Sequence, residues 1–371
     1  MNTQLRIALV HDWLTSMRGG EKCVEVLCEL YPDAVLHTLL HIPGSVSPTI
    51  EHMQIRTSFI QKLPHAERFY RHYLPLFPAA IGHFDMSEFD VIISSSHCAA
   101  KGIRPRPGAL HICYCHTPMR YVWDMYDDYF GPGRASVSVR RAMKIIRPYL
   151  QRWDVKSSAR VDQFVANSTF VRERIQRIYH REANVIYPPV EVSRFNTSNI
   201  DEGFFLVVGA LVPYKRIDLA IDVCNAMKRN LVIAGNGPEE TALRSRAGET
   251  VTLVGWRNDE EIAGLYQRCT ALLFPGIDDF GIVPLEAMAS GKPVIAYGKG
   301  GALETIIEGV TGTFFYDQTP ANFSEAIRRF ESLSFDPHRI RMHSISFDRS
   351  VYKSAMQKFI VDQIHHHWEE K

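Results

Sequence analysis

Short apolar runs alternate with amphipathic stretches along the whole chain. In the first half, residues 7–10, 34–39, 91–94, 110–115, 163–166 and 184–186 read as strands. A second series begins at residues 204–208 and continues through 231–234, 251–254, 271–274, 293–296 and 312–315. Runs this short and this apolar, separated by helical periodicity, predict parallel strands covered by helices on both faces. Between the two series, Pro188-Pro189-Val190 opens a polar stretch that reaches Gly203 and reads as a linker. The predicted architecture is α/β, with two doubly wound, Rossmann-like domains, 1–190 and 200–346, and a cleft between them. Residues 350–368 read as a closing helix. Ligands of such sheets sit beyond the carboxyl ends of the strands, so chemistry is expected there.

Composition narrows the classes. The 371 residues suffice for two cores. With 42 basic and 41 acidic side chains, there is no bulk field to attract nucleic acid. The seven cysteines show no paired C-x-x-C spacing and lie in apolar segments, which reads as reduced, buried thiols of a cytoplasmic protein and not as a zinc or disulfide framework. No apolar run has the length of a membrane span, and the first strand begins too early for a signal peptide. His365-His366-His367 reads as part of a native helix or as a tag remnant, and is assigned no metal.

The richest segment runs from Phe274 to Gly291. A strand stops at Pro275-Gly276, an acidic loop with Asp278 follows, and Phe280-Gly281-Ile282-Val283 opens a helix that carries Glu286. Gly281 permits close backbone approach, and the first amides of the helix lack internal acceptors and carry the positive end of its dipole. Carboxylates accept hydrogen bonds from sugar and ribose hydroxyls. A diphosphate flanked by hydroxyl-rich groups, as in a nucleotide sugar, suits this pattern; an ordinary strand–loop–helix connection with solvated acids suits it equally.

Four other strand ends carry chemistry. Val10-His11-Asp12 leads to Arg18-Gly19-Gly20-Glu21, a flexible turn or a place where backbone approaches a phosphate or sugar. Cys113-Tyr114-Cys115 is followed by His116, where an imidazole can meet a sugar hydroxyl, and by Arg120, Tyr121 and Trp123, whose rings suit the apolar faces of an acceptor saccharide. Lys215 and Arg216 follow the first strand of the second half; they are either solvated cations or partners for a diphosphate leaving group. Gly235-Asn236-Gly237 lacks the third glycine of a dinucleotide fingerprint, since Glu240 stands there. From residue 134 to 160, Arg140, Arg141, Lys144, Arg147, Arg152 and Lys156 are interleaved with apolar positions: a solvated surface helix or one that lies on an anionic membrane.

The run from Asp278 to Gly291 resembles the Glu-x7-Glu signature of retaining glycosyltransferase family four. Phe280, Gly281, Glu286 and Ala287-Met288-Ala289-Ser290-Gly291 match it, and Asp278 stands where the first glutamate is usual. The His116-to-Trp123 run resembles bacterial mannosyltransferases acting on cell-surface glycans. The turns at 235–238 and 300–304 match the family in order. The resemblance implies a GT-B fold, with the helix of 347–371 packing back on the first domain. It also implies His116, Asp278 and Glu286 as catalytic residues. Donor contacts are implied at Gly19, Gly20, Lys215, Arg216, Gly235, Gly237, Phe280, Gly281, Ile282, Val283 and Glu286. The usual arginine before that lysine is replaced by Ala210. The activity expected from this likeness is retaining transfer of mannose from GDP-mannose to a lipid-linked oligosaccharide in surface-polysaccharide (O-antigen, capsule or exopolysaccharide) assembly. It is expected to need no cofactor or metal and to occur on the inner face of the plasma membrane. Transfer from another nucleotide sugar, a dinucleotide-dependent enzyme and a non-catalytic nucleotide-sugar-binding protein are the alternatives.

Overall fold

The structure, a computed structural model, describes residues 5–369; residues 1–4 and 370–371 at the ends of the expected first domain and closing helix lie outside these. The chain divides into two compact units, one formed by Met1–Pro189 with Tyr352–Lys371 and the other by Val190–Val351.

Unit 1 contains strands β1 (Ile7–His11), β2 (Val35–Thr38), β3 (Gln54–Thr57), β4 (Val91–Ser96), β5 (Leu110–Cys115), β6 (Gln163–Ala166) and β7 (Asn184–Val185). They pair in parallel in the order β3-β2-β1-β4-β5-β6-β7. The chain winds outward from β1 to β3 and then returns to place β4 on the other side of β1. Period-two alternation sends Ala8 and Val10 into one core, with Phe77, Ile92 and Leu150, and Leu9 into another, with Leu27, Ile93 and Val165. The closing helix Arg349–Glu369 adds Tyr352, Met356 and Ile360 to the second of these cores, and His367 bonds the Gly108 carbonyl at 2.9 Å. The edge strand β3 escaped the hydrophobic pattern because only Ile55 of its four residues is apolar and both ends are exposed.

Unit 2 contains β8 (Phe204–Val208), β9 (Asn230–Ala234), β10 (Val251–Gly255), β11 (Ala271–Phe274), β12 (Val294–Tyr297) and β13 (Gly312–Phe315), all parallel in the order β10-β9-β8-β11-β12-β13. Its winding reverses between β8 and β11. Phe205, Val207, Ile233 and Leu273 pack with Leu219 and Val223 of the helix Ile217–Met227 and with Phe323 and Ile327 of the helix Pro320–Glu331. The polar stretch expected as a linker is a correction: Val190, Val192 and Phe195 are buried, Phe195 meets Tyr266 edge-on, and unit 2 therefore starts at Val190 and not at residue 200.

A buried ion pair ties four segments of unit 1 together. Lys101, in the turn after β4, donates from Nζ to Asp154 Oδ1 (2.6 Å), the Asp154 carbonyl (3.0 Å) and Ser157 Oγ (2.8 Å). Asp154 Oδ2 accepts from Trp123 Nε1 (2.8 Å) and the Tyr179 hydroxyl (2.9 Å). All three ammonium hydrogens and both carboxylate oxygens are thus satisfied, which is what burying such charges requires. Lys101→Met should destabilise unit 1 by about 3–5 kcal/mol, because it leaves a carboxylate buried without its counter-charge. Adding Asp154→Asn, whose amide oxygen still accepts a hydrogen bond, should recover part of the loss. Denaturant unfolding of the single and double variants measures both effects; a single-variant cost below about 1 kcal/mol would contradict this account.

Candidate active site

In unit 2 the residues singled out by sequence converge at the strand-order reversal. Lys215 follows β8 and Asp278 follows β11, the two strands that flank the reversal, and their side chains form a direct ion pair. Glycines bring the loops close enough for this. A Cβ at Gly235 would stand 1.9 Å from the Gly209 carbonyl oxygen, one at Gly237 2.4 Å from that of Leu211, and one at Gly276 2.6 Å from Lys215 Cα. A Cβ at Gly301 would lie 2.2 Å from Phe280 Cα, and the Gly301 amide donates to the Asp278 carbonyl at 2.9 Å. The four loops therefore touch backbone to backbone.

Gly281, at φ 101°, is the N-cap of the helix Ile282–Ala289. Pro284 at the third helical position removes an amide that would have no partner, so the open donors of this first turn are those of Ile282 and Val283. Glu286 lies one turn on and accepts from the buried Tyr266 hydroxyl at 3.3 Å. Phe280 is buried against Phe347. Trp256, just past β10, is 66% exposed. Arg216, in the left-handed conformation (φ 52°), places its guanidinium on Asp218, at 3.1 Å, and not beside Lys215.

In unit 1 the reversal lies between β1 and β4, and a polar cluster fills it. His11 ends β1, Ser95 belongs to the end of β4, His97 follows β4, and His116 follows β5. His116 Nε2 lies 2.8 Å from Ser95 Oγ. His11 Nε2 stands 3.6 Å from Glu21, and His97 Nδ1 is 3.0 Å from Asp12. Asp12 also accepts from the amides of residues 97, 98, 99 and 100 at 2.5–2.9 Å. Burial pushes the His116 imidazole well below its usual pKa, and His97, His11 and Arg120 add to this. Burial also opposes the His11 cation, yet Glu21 and Asp12 outweigh it and hold the His11 pKa above its usual value. Gly20, the second residue of the helix Gly19–Leu30, lies directly against this cluster: a Cβ there would lie 3.5 Å from His11 Cε1 and 3.7 Å from His116 Nε2.

The aromatic run after β5 separates. Arg120 acts electrostatically on His116 and His97. Tyr121 packs edge-on against Tyr129 at 4.9 Å. Trp123 donates its indole N–H to Asp154. Sequence reasoning left His11, Asp12, Glu21, Ser95 and His97 without roles. The available signal was a polar pair or run placed directly behind an apolar strand: His11-Asp12 in one case, Ser94-Ser95-Ser96-His97 in the other.

Two family models cover nearly all of this arrangement: Glycosyltransferase Family 4 over residues 18–194 and Glycosyl transferases group 1 over residues 191–346. The human alpha-1,3/1,6-mannosyltransferase ALG2 is 26% identical over 283 residues, 66% of this chain and 65% of that protein. The O-antigen chain mannosyltransferase C of Escherichia coli is 27% identical over 216 residues, 52% of this chain and 54% of that one. The chain spans between 36% and 65% of the length of the curated relatives it matches. The solved structure of HepE from Anabaena in complex with UDP-glucose superposes with a TM-score of 0.71 at 19% identity, covering 97% of this chain and 100% of that one. At that identity the match establishes the fold.

The glycines separate packing from access. Gly301→Ala forces a methyl group into the Phe280 backbone and should destabilise unit 2 by about 2 kcal/mol or more. Gly20→Ala meets only ordinary contacts and should leave stability within about 1 kcal/mol, while its methyl narrows the approach to His116 and slows turnover. Unfolding curves and a transfer assay on both variants test this. A destabilised Gly20→Ala, or one with full activity, would contradict it.

Proposed function

Because this chain belongs to glycosyltransferase family four and has the GT-B fold, we propose that it transfers mannose from GDP-mannose, with retention, to a lipid-linked oligosaccharide in surface-polysaccharide assembly. The observation that carries this reading is the Lys215–Asp278 pair beside the Gly281 helix start, one turn from Glu286. The names of the mannosyltransferase relatives support the choice of sugar. In unit 2, Lys215 and the amides of Ile282 and Val283 take the diphosphate, Glu286 accepts from the ribose hydroxyls, and Asp278 accepts from the sugar. In unit 1, His116 meets a sugar hydroxyl. The bond from the anomeric carbon to the phosphate oxygen breaks. A bond to the acceptor oxygen forms on the same face, and the acceptor proton passes to the departing phosphate. Cations and helix amides carry the charge of the leaving group, so no divalent ion is required.

Asp278 occupies the Lys215 cation until a diphosphate competes for it. Glu286→Gln should therefore weaken GDP binding about ten-fold, the usual loss for a charge-assisted hydrogen bond. Asp278→Asn should leave GDP affinity unchanged or higher, because Lys215 is released, while mannose transfer slows. Calorimetry with GDP and a transfer assay with and without EDTA measure both. Loss of GDP binding in Asp278→Asn alone, or activity abolished by EDTA and restored by manganese, would overturn the assignment. GDP-mannose binding without hydrolysis or transfer would favour a non-catalytic binding protein, and turnover with UDP-glucose in its place would name another donor.

No helix among the described residues is long and apolar enough to cross a membrane. We place the protein peripherally on the inner membrane face through the helix Val137–Ser158. Its outer stripe combines Arg141, Lys144, Arg152 and Lys156 with Tyr149 and Ile145, which is 79% exposed. Arg141→Glu with Lys144→Glu should reduce co-sedimentation with phosphatidylserine-containing vesicles several-fold at about 0.1 M salt. Equal wild-type binding to neutral and anionic vesicles would remove the electrostatic part of this placement.

A further inference from the structure

Proton positions in the unit 1 cluster follow from what each partner can donate or accept. His11 Nδ1 lies 3.0 Å from the Ser95 carbonyl, which only accepts, so this nitrogen carries a hydrogen. A flipped ring would place carbon against that carbonyl. The same Nδ1 is 3.2 Å from Ser95 Oγ and, being protonated, cannot take the hydroxyl hydrogen. The other neighbour of that oxygen is His116 Nε2, at 2.8 Å. Ser95 is buried, and a buried hydroxyl left without an acceptor is costly. Its hydrogen therefore points to His116 Nε2, which must be bare. A neutral imidazole with a bare Nε2 holds its hydrogen on Nδ1.

The remaining groups hold this arrangement in place. Glu21 Oε2 accepts from the Arg18 amide at 3.1 Å at the start of the helix Gly19–Leu30, and Oε1 faces His11 Nε2 at 3.6 Å. Asp12 is pinned by four amides and holds His97. Burial lowers the His116 pKa well below its usual value, and His97, His11 and Arg120 act in the same sense. Among the described residues no protein partner is seen for His116 Nδ1, and the residue retains 9% exposure.

We infer that His11 and Ser95, with the Glu21 carboxylate as a nearby charge, form a relay that fixes His116 as the Nδ1–H tautomer, so that it presents a hydrogen-bond donor, and not an acceptor, to a substrate oxygen. His11 and Ser95 are positioning residues; only the nature of that oxygen, a sugar hydroxyl, rests on the proposed transfer. The relay selects for an oxygen able to accept: a deoxy sugar lacking the contacted hydroxyl would leave Nδ1–H unpaired and be transferred more slowly.

The test uses the full chain labelled with 15N-histidine. At neutral pH, His116 should show a protonated Nδ1 and a bare Nε2. Ser95→Ala removes the hydroxyl and should shift His116 toward the Nε2–H tautomer while lowering kcat at least ten-fold. Ser95→Thr keeps the hydroxyl and should restore both tautomer and rate. Ser95→Cys, a weaker donor, serves if the alanine variant does not fold. A wild-type Nε2–H tautomer, or one unchanged in Ser95→Ala and Ser95→Cys, would overturn the relay. So would a shifted tautomer with undiminished turnover. Because the spectra require no substrate, the expected tautomers in a protein that transfers no sugar would support the relay while refuting the proposed transfer.

Discussion

Parallel pairing imposes the constraint on which the other features rest. A sheet wound outward from β1 and then restarted at β4 must send successive connections to opposite faces, and the chain ends beyond those two strands separate. The same reversal occurs between β8 and β11. Polar groups placed at such a point have backbone amides and helix starts close by. Thus a sequence that keeps its strands apolar can concentrate its chemistry in the few residues following each strand. His11, Ser95 and His116 in unit 1, and Lys215 and Asp278 in unit 2, occupy such positions.

This placement makes charge burial tolerable. The Asp12 carboxylate is fully buried, yet four amides and His97 accompany it, and its pKa falls below the usual carboxylate value despite the opposing effect of burial. Lys101 and Asp154 meet the same requirement with side chains in place of amides, and in doing so clamp the loop after β5 through Trp123. Arg174 completes the clamp with bonds to Thr117 (2.9 Å) and Asp124 (2.7 Å). The loop that begins with His116 is thereby held at both ends.

Much of this was legible in the sequence. The predicted strands of both halves lie where short apolar runs are bounded by polar residues, glycine or proline, and Gly281 and Glu286 were readable from the spacing of a helix start. The linker was misjudged because Val190, Val192 and Phe195 are spaced too widely to form a periodic pattern, although each is buried. The partners of Arg216 and Trp123 were not legible for another reason. Sequence shows which side chains follow a strand but not which nearby partner claims them: Asp218 lies two residues from Arg216, whereas Asp154 lies thirty-one from Trp123. The histidine cluster was the least accessible, because its members come from three strand ends and the first turn of a helix, and none of those segments is distinctive alone.

The two polar groups differ in how readily they can rearrange. Lys215 and Asp278 are partly exposed, and an ion pair of that kind is worth little net free energy, roughly 1 kcal/mol or less. A diphosphate with two negative charges can displace the carboxylate at small cost, and the released carboxylate then faces the ligand. The unit 1 cluster behaves in the opposite way. His11, Asp12 and Ser95 are all buried, so moving one leaves another without its partner, at the full cost of an unsatisfied buried group. A group that must act as a fixed donor benefits from such rigidity, since orientation prepaid in folding need not be supplied on binding. The sequence thus places an exchangeable pair where a charged ligand is expected to arrive and a locked network where a single hydrogen must point in one direction.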